Sequence, residues 1–273
     1  MMNELTIEDI KLLDQRVNEQ LGRLQLTNQI VREQVFRILQ NETTFMQYPI
    51  EDDELCAFVC QKQGRLFSYI NSYIPHDKQI FAAAHELYHI WYEEQRLNEV
   101  EVLMNQTLEE EPAERSEKMA NRFAAMFLVP ELVLRQQLSA LQIDRETIAL
   151  KDIVKLIPIF QVPYKTVVLR LFEIGFIREK QCQQFLTIPD RDATQGVVYQ
   201  MKISQLPLDS QQRSNIIMLD GYIEHVVEAY NDEKISYTEL REYLALANQT
   251  PGDFGYPEMT ADDFAMLLED CDD

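Results

Sequence analysis

Two of the four histidines in this 273-residue chain lie four positions apart in the segment FAAAHELYHIWY, residues 81–92. Positions i and i+4 project from one face of a helix, so His85 and His89 could bind the same metal ion. Glu86 lies about 100° further round the same helix. With this HExxH spacing, two neutral imidazoles can bind zinc and the carboxylate can accept a proton from a water molecule at the metal. The opposing interpretation is a structural helix that happens to carry two histidines.

A third protein ligand is needed, because a catalytic zinc site has three protein ligands and one open position. The metzincin pattern would require glycine at position 92 and histidine at position 95, and the chain has neither there. The segment EKMAN offers Glu117 as the ligand and Asn121, four residues later, as a hydrogen-bond partner for a ligand histidine. Glu114 is the competing candidate, but its partner at i+4 would be Lys118, which cannot accept a hydrogen bond.

The elements that must position these residues follow from the surrounding sequence. A helix is predicted from His76 to about Glu94, because this stretch lacks Gly and Pro and is rich in alanine. SEKMANRFAAMFLV predicts a second helix with Ser116 as its N-cap and Pro130 at its end. The runs ELCAFVCQ and GRLFSYIN predict an antiparallel hairpin, and NEVEVLM predicts a further strand. A small antiparallel sheet is therefore expected beside the two helices.

Helices are also predicted on both sides of this core. Residues 6–40 have helical periodicity, with Thr6 as the N-cap and a second start at Thr27 that could divide the helix. RETIALKDIVKLIPIF and VPYKTVVLRLFEIGFI predict a helix pair shaped like a helix-turn-helix. The second helix carries only Lys165 and Arg170 as basic groups, which favours core packing over DNA recognition. After the predicted linker LTIPDRDATQG, further helices are predicted in QRSNIIMLDGYIEHVVEAY, SYTELREYLALA and TADDFAMLLED.

Composition limits the classes of function. Hydrophobic residues make up 46% of the chain, which favours a globular protein. The formal net charge is −21, and residues 191–273 contain 17 Asp and Glu against 5 Lys and Arg, which argues against direct nucleic-acid binding. The four cysteines form no CxxC pair and are expected to be reduced thiols. With no signal peptide and no apolar run of 18 residues, we expect a cytoplasmic protein without membrane association.

The sequence resembles the ImmA/IrrE family of zinc metallopeptidases from about Tyr48 to Ile177. The segments that carry the resemblance are YPIEDDELCAFV, SYINSYIPHDKQIFAAAHELYHIW, EKMANRFAAMFLVP and FQVPYKTVVLRLFEIGFI, in the family's order. The resemblance implies a zinc site formed by His85, His89 and Glu117. It also implies that Glu86 is the general base and that Asn121 supports a ligand from outside the metal shell. Family members typically cleave a helix-turn-helix transcriptional repressor, so the implied function is an anti-repressor endopeptidase in mobile-element or stress regulation.

The expected fold is α+β and mainly helical, with a zincin-like core in which the small antiparallel sheet packs on the HExxH helix, plus helical extensions. Four regions are expected: an N-terminal helical region (1–45), the zinc peptidase core (46–135), a helix-turn-helix-shaped subdomain (136–189) and an acidic helical extension (190–273).

Two features depart from the family pattern. Tyr88 stands where members usually have a small residue, and it could either crowd the cleft or donate a hydrogen bond to an oxyanion. The alanine run Ala82–Ala84 lacks the hydroxyl that usually precedes the histidines. Four residues are candidates for a donor to the oxyanion, and the sequence favours none of them: His76, Tyr88, Tyr92 and His225.

Two alternative functions are compatible with the motif. The first is a zinc-binding module that sequesters a partner with little or no turnover, such as a component of a toxin–antitoxin pair. Intact Glu86 argues against this module, since a non-catalytic site needs no base. The second is a small-molecule zinc hydrolase, which no accompanying signature supports.

Overall fold

The computed structural model describes residues 5–99, 103–105, 114–192 and 194–257. The chain forms two compact units, Met1–Ile216 and Ile217–Asp273. Among the described residues, every helix is too short or too polar to cross a lipid bilayer.

The first unit contains most of the helices and a small sheet. Its strands are β1 (Thr44–Tyr48), β2 (Ala57–Lys62), β3 (Arg65–Asn71) and β4 (Leu103–Asn105). Its helices are α1 (Ile7–Arg23), α2 (Gln34–Glu42), α3 (His76–Tyr92), α4 (Glu94–Glu99), α5 (Arg115–Leu128), α6 (Glu131–Ala140), α7 (Leu150–Ile153), α8 (Ile157–Phe160), α9 (Tyr164–Glu173), α10 (Glu179–Leu186) and α11 (Val197–Ile203). The expected mainly helical α+β fold is therefore confirmed.

The sheet has the strand order β4-β2-β3-β1 within this unit. β2 and β3 form the predicted antiparallel hairpin, with Ala57 opposite Ile70 and Lys62 opposite Arg65, and β2 also pairs antiparallel with β4. The hairpin turn places Gln63 and Gly64 at positive φ. β1, which the sequence analysis left unassigned, pairs parallel with β3. The sheet is therefore mixed, and the expectation of a small antiparallel sheet is wrong for β1 alone.

Helix α3 lies at the centre of the unit. Its residues from Gln79 to His89 are all buried, because the helix contacts β2 and β3 on one side and α5 on the other. Ala82, Ala83 and Ala84 are fully buried, and their small side chains allow neighbouring elements to approach closely. Near the end of the helix, Trp91 forms edge contacts with Phe123 of α5. Burial on every side fixes the position of the histidine-bearing face.

The N-terminal helical region contains two helices instead of one. Thr6 caps α1 as predicted, since its hydroxyl accepts a hydrogen bond from the Asp9 amide at 3.1 Å and its own amide donates to the Asp9 carboxylate at 2.9 Å. The helix ends near Arg23, and the chain then passes through left-handed conformations at Gln25 and Arg32 before α2. The structure therefore agrees better with a helix divided near Thr27 than with one continuous helix over residues 6–40.

The first helix predicted in the helix-turn-helix-shaped region is interrupted in the structure. RETIALKDIVKLIPIF forms the two short helices α7 and α8, whereas α9 begins after Pro163 as predicted. Arg170 of α9 is only 4% exposed. Its guanidinium donates to the Val129 carbonyl at 3.0 Å and to the Glu173 carboxylate at 2.5 Å. Arg170 therefore contributes to packing, as expected for this helix.

An ion pair with a buried carboxylate attaches Arg191 to the start of α3 within the first unit. The Arg191 guanidinium lies 2.9 Å and 3.1 Å from the two carboxylate oxygens of Asp77, which is fully buried at the start of α3. Gln211 donates to the same carboxylate at 2.9 Å. The division into four sequence regions stays a prediction, but the start of the fourth region belongs to this unit.

The second unit contains a helical hairpin. Its elements are β5 (Met218–Leu219), α12 (Tyr222–Asn231) and α13 (Tyr237–Leu246), followed by a short 3₁₀ helix (Pro251–Phe254). Val226, Tyr237, Leu240 and Leu244 form its small core. The predicted helix in TADDFAMLLED and Cys271 lie outside the described residues.

Asn71, the last residue of β3, allows a test of which contacts stabilise this end of the sheet. Its fully buried amide nitrogen lies 2.9 Å from the carbonyl oxygens of Ile50, Asp52 and Leu55, which share its two hydrogens, and its oxygen accepts from the amides of Ile50 and Tyr73. We predict that Asn71→Ala lowers the free energy of unfolding by about 2–4 kcal/mol, because these buried groups lose their partners.

Urea denaturation measures this change. The control is Asn18→Ala on the exposed face of α1, which should change the free energy of unfolding by less than about 0.5 kcal/mol. Equal effects of the two substitutions would contradict the role of Asn71.

Candidate metal centre

His85, His89 and Glu117 come together between α3 and α5. The Nε2 atoms of the two histidines lie 3.0 Å apart, and both side chains are 1% exposed. Glu117 reaches them from α5, with Oε2 3.1 Å from His85 Nε2 and Oε1 3.6 Å from His89 Nε2. The possible ligand atoms all lie within 4.8 Å of one another, which is compatible with one metal ion bound by three residues.

Each histidine is oriented through its other ring nitrogen. His85 Nδ1 lies 2.8 Å from Asn121 Oδ1, the contact that the EKMAN spacing predicts. His89 Nδ1 lies 2.7 Å from a carboxylate oxygen of Glu93. The Ser116 hydroxyl donates to Glu93 at 2.5 and 2.6 Å. Such partners fix the tautomer and the direction of an imidazole that binds a metal.

Glu93 and Ser116 support the site but are not among the residues predicted for it. Glu93 follows His89 by four residues, so the same i, i+4 argument that identified Asn121 could have found it. Ser116 was predicted to cap α5, but Glu114 occupies the N-cap position and Ser116 lies in the first turn. The hydroxyl of Ser116 is used to hold Glu93 instead.

The protonation of the two histidines explains why this cluster suits a cation. Glu93 and Asn121 present oxygen acceptors, so both Nδ1 atoms donate and a neutral imidazole then has a lone pair on Nε2. Two lone pairs and the Glu117 carboxylate converge within a buried space. Without a positive charge, either a proton on His89 or a metal ion, these groups repel one another, so the donor set fits a divalent metal ion.

The pKa values of these residues reflect the same convergence. Burial lowers the pKa of His85, against the opposing effect of Glu117. Burial also acts to lower the pKa of His89, but the hydrogen bonds with Glu117 and Glu93 outweigh it and raise the pKa to about 9. The same histidines hold the pKa of Glu117 well below its ordinary value, even though burial acts to raise it.

Glu86 is fully buried beside the cluster. Among the described residues, neither of its carboxylate oxygens has a hydrogen-bond partner. Burial raises its pKa to about 8, while His89 acts to lower it and Glu117 to raise it. A buried carboxyl group without a partner is unfavourable for folding, which makes it a candidate for a chemical role.

The remaining candidates occupy other positions. Glu114, the competing third ligand, is 64% exposed and accepts a hydrogen bond from Arg96 of α4. The Tyr88 hydroxyl accepts from Arg16 of α1 at 2.9 Å, and the Tyr92 hydroxyl accepts from Gln20 at 3.0 Å. Both tyrosine hydroxyls are therefore bound to the N-terminal helix.

Two further histidines were candidates for an oxyanion donor. His76 lies at the start of α3, where Nε2 is 3.0 Å from Glu33 Oε1. His225 contacts the Gly221 carbonyl within the second unit. These contacts give neither histidine a role at the metal centre, and no donor is assigned.

The choice between the two glutamates gives a direct prediction. Glu117→Ala should weaken zinc binding by at least about 100-fold, because one of three ligands is lost. Glu114→Ala is the matched comparison and should weaken zinc binding far less than Glu117→Ala does, because Glu114 lies outside the ligand set. Titration against a zinc-selective chelator measures both affinities. Stronger loss in Glu114→Ala than in Glu117→Ala would contradict the assignment.

Zinc binding should also release protons at pH 7. His89 has a pKa of about 9, so its imidazole is mostly protonated at that pH and must lose the proton to bind a metal. The apparent affinity should therefore rise as pH increases from 6 towards about 9.

Calorimetric titration in buffers of different ionisation enthalpy measures the released protons. Glu93→Gln should release fewer, because the amide supports the imidazolium less than a carboxylate does. A binding enthalpy that is the same in every buffer at pH 7 would contradict the prediction.

Comparison with known proteins agrees with this geometry. Residues 43–172 match the family model described as the IrrE N-terminal-like domain, a peptidase family. The match includes α3 and α5 and ends in α9. No curated protein matches the chain. Residues 43–172 therefore form a domain of the ImmA/IrrE family.

Proposed function

We propose that this protein is a zinc-dependent endopeptidase with His85, His89 and Glu117 as metal ligands and Glu86 as the general base. The observation that carries the proposal is the buried carboxyl group of Glu86, which has no hydrogen-bond partner among the described residues and lies beside three converging ligands. A structural metal site would have no use for such a group.

Each residue has a defined task in this mechanism. A bound zinc ion would lower the pKa of a water molecule and polarise the carbonyl of the scissile peptide. Glu86 accepts the proton from the attacking water and transfers it to the leaving amine. The positive charge of the metal would lower the pKa of Glu86 from about 8, which makes the carboxylate available near neutral pH. Asn121 and Glu93 keep the two imidazoles aligned throughout.

The proposed substrate is a helix-turn-helix transcriptional repressor, and the setting is gene regulation in the cytoplasm. Membership of the ImmA/IrrE family supports this choice by analogy. The acidic C-terminal third gives further support, because it could attract a basic DNA-binding protein and increase the rate of association. A solvated acidic surface without a partner explains the same composition.

The competing function is a zinc-binding module that sequesters its partner without cleaving it. A phenol at Tyr88 that crowded the cleft would favour this module. The phenol is 3% exposed, packs on Phe123 and accepts a hydrogen bond from Arg16. The Tyr88 ring is therefore packed in the core, which argues against a cleft blocked by this residue.

Glu86→Gln separates catalysis from binding. We predict that this substitution lowers the rate of repressor cleavage by about 10²–10⁴-fold while zinc stays bound, because an amide cannot accept the proton. Cleavage of purified candidate repressors, followed by mass spectrometry, measures the rate, and elemental analysis measures the metal.

The matched control is Glu51→Gln, an exposed glutamate that should leave both quantities unchanged. Full activity of Glu86→Gln would refute the role of the base. Tight binding of a repressor by the wild type without any cleavage would favour the sequestering module.

A further inference from the structure

One arginine lies against three carboxylates at the edge of the metal centre. Arg96 belongs to α4, and its backbone amide donates to the Glu93 carbonyl at 2.9 Å, so the chain turns back towards the centre directly after α3. Nη1 lies 3.6 Å from Glu93 Oε2 and 3.6 Å from Glu117 Oε1. Nη2 donates to the Glu114 carboxylate. The guanidinium therefore connects the ligand Glu117, the histidine partner Glu93 and the exposed Glu114.

The positive charge of Arg96 offsets the repulsion between the three carboxylates and so affects where they lie. Glu93, Glu114 and Glu117 approach one another around Arg96, and like charges at such distances repel. The Arg96 side chain is 29% exposed, so water screens these interactions only in part. A planar guanidinium can bind carboxylates on two edges at once, which an ammonium group cannot do.

The two oxygens of Glu117 face different partners. Oε2 lies 3.1 Å from His85 Nε2, within the converging ligand set. Oε1 is 3.6 Å from both His89 Nε2 and Arg96 Nη1. The guanidinium thus competes with His89 for Oε1, whereas Oε2 makes the shorter contact, with His85. A glutamate that binds zinc through one oxygen keeps the fourth coordination position open for water.

We propose that Arg96 is a positioning residue that keeps Glu117 a one-oxygen ligand, and that Glu114 anchors the guanidinium from the protein surface. This inference rests on the proposed zinc site. It assigns to α4, the short helix after the HExxH helix, the task of setting the coordination number of the metal. Arg96 acts through Glu117 and need not touch the substrate.

Cobalt substitution tests the coordination directly. Four-coordinate cobalt absorbs visible light more strongly than five-coordinate cobalt. In Arg96→Ala, Glu117 is free to bind through both oxygens, so the visible absorption of the cobalt protein should weaken. The kcat for peptide cleavage should fall by about 10–100-fold with little change in KM.

Two further variants make the test specific. Arg96→Lys keeps the charge without the planar fork and should recover only part of the cobalt absorption and of kcat. Arg37→Ala removes an exposed arginine of α2 and should match the wild type in both. Equal unfolding midpoints of the metal-free proteins exclude a general loss of structure.

Three results would overturn the inference. If the wild type binds metal and cleaves peptide, an unchanged cobalt spectrum and kcat in Arg96→Ala would overturn the inference about Arg96 and leave the proposed function intact. Full recovery by Arg96→Lys would mean that charge is sufficient and would contradict the geometric role. A wild type that binds neither cobalt nor zinc would overturn the proposed function and this inference together.

Discussion

The structure depends on one constraint: three electron-pair donors, two imidazole nitrogens and one carboxylate, must be held close together in a buried space. Nε2 of His85, Nε2 of His89 and the Glu117 carboxylate repel one another unless a proton or a metal cation lies between them. Their convergence requires rigid support from outside. Asn121 and Glu93 orient the imidazoles, Ser116 holds Glu93, and the packing of α3 against α5 keeps the two helices in register. The geometry of the candidate metal centre therefore depends on contacts throughout the core.

Segments distant in sequence contribute to the same support. Arg16 and Gln20 of α1 bind the hydroxyls of Tyr88 and Tyr92, so the N-terminal helix holds the end of α3 that carries His89. At the other end of α3, the buried carboxylate of Asp77 is paired with Arg191. Both α1 and Arg191 lie outside residues 43–172, the part of the chain that matches the family. The sequence around the family domain thus helps to fix the helix on which the proposed chemistry depends.

Local spacing carried much of the information about the site, and longer-range contacts carried the rest. His85, Glu86 and His89 were identifiable from a single helix, and Glu117 with Asn121 from a second. Glu93 had a usable signal, its i+4 position after His89, but Arg96 had none, because the role proposed for it depends on how the chain turns after α3. β1 was missed because its parallel pairing with β3 joins segments that are separated in sequence. The predicted 6–40 helix failed at left-handed residues that periodicity does not reveal.

The most direct test of this account is a crystal structure of the zinc-loaded protein with diffraction data collected on both sides of the zinc absorption edge. The account predicts one anomalous peak bound by Nε2 of His85 and His89 at about 2.0–2.1 Å and by one oxygen of Glu117 at about 2.0–2.2 Å. A peak bound by Glu114 in place of Glu117, or no peak between α3 and α5 in a zinc-loaded crystal, would contradict the central claim.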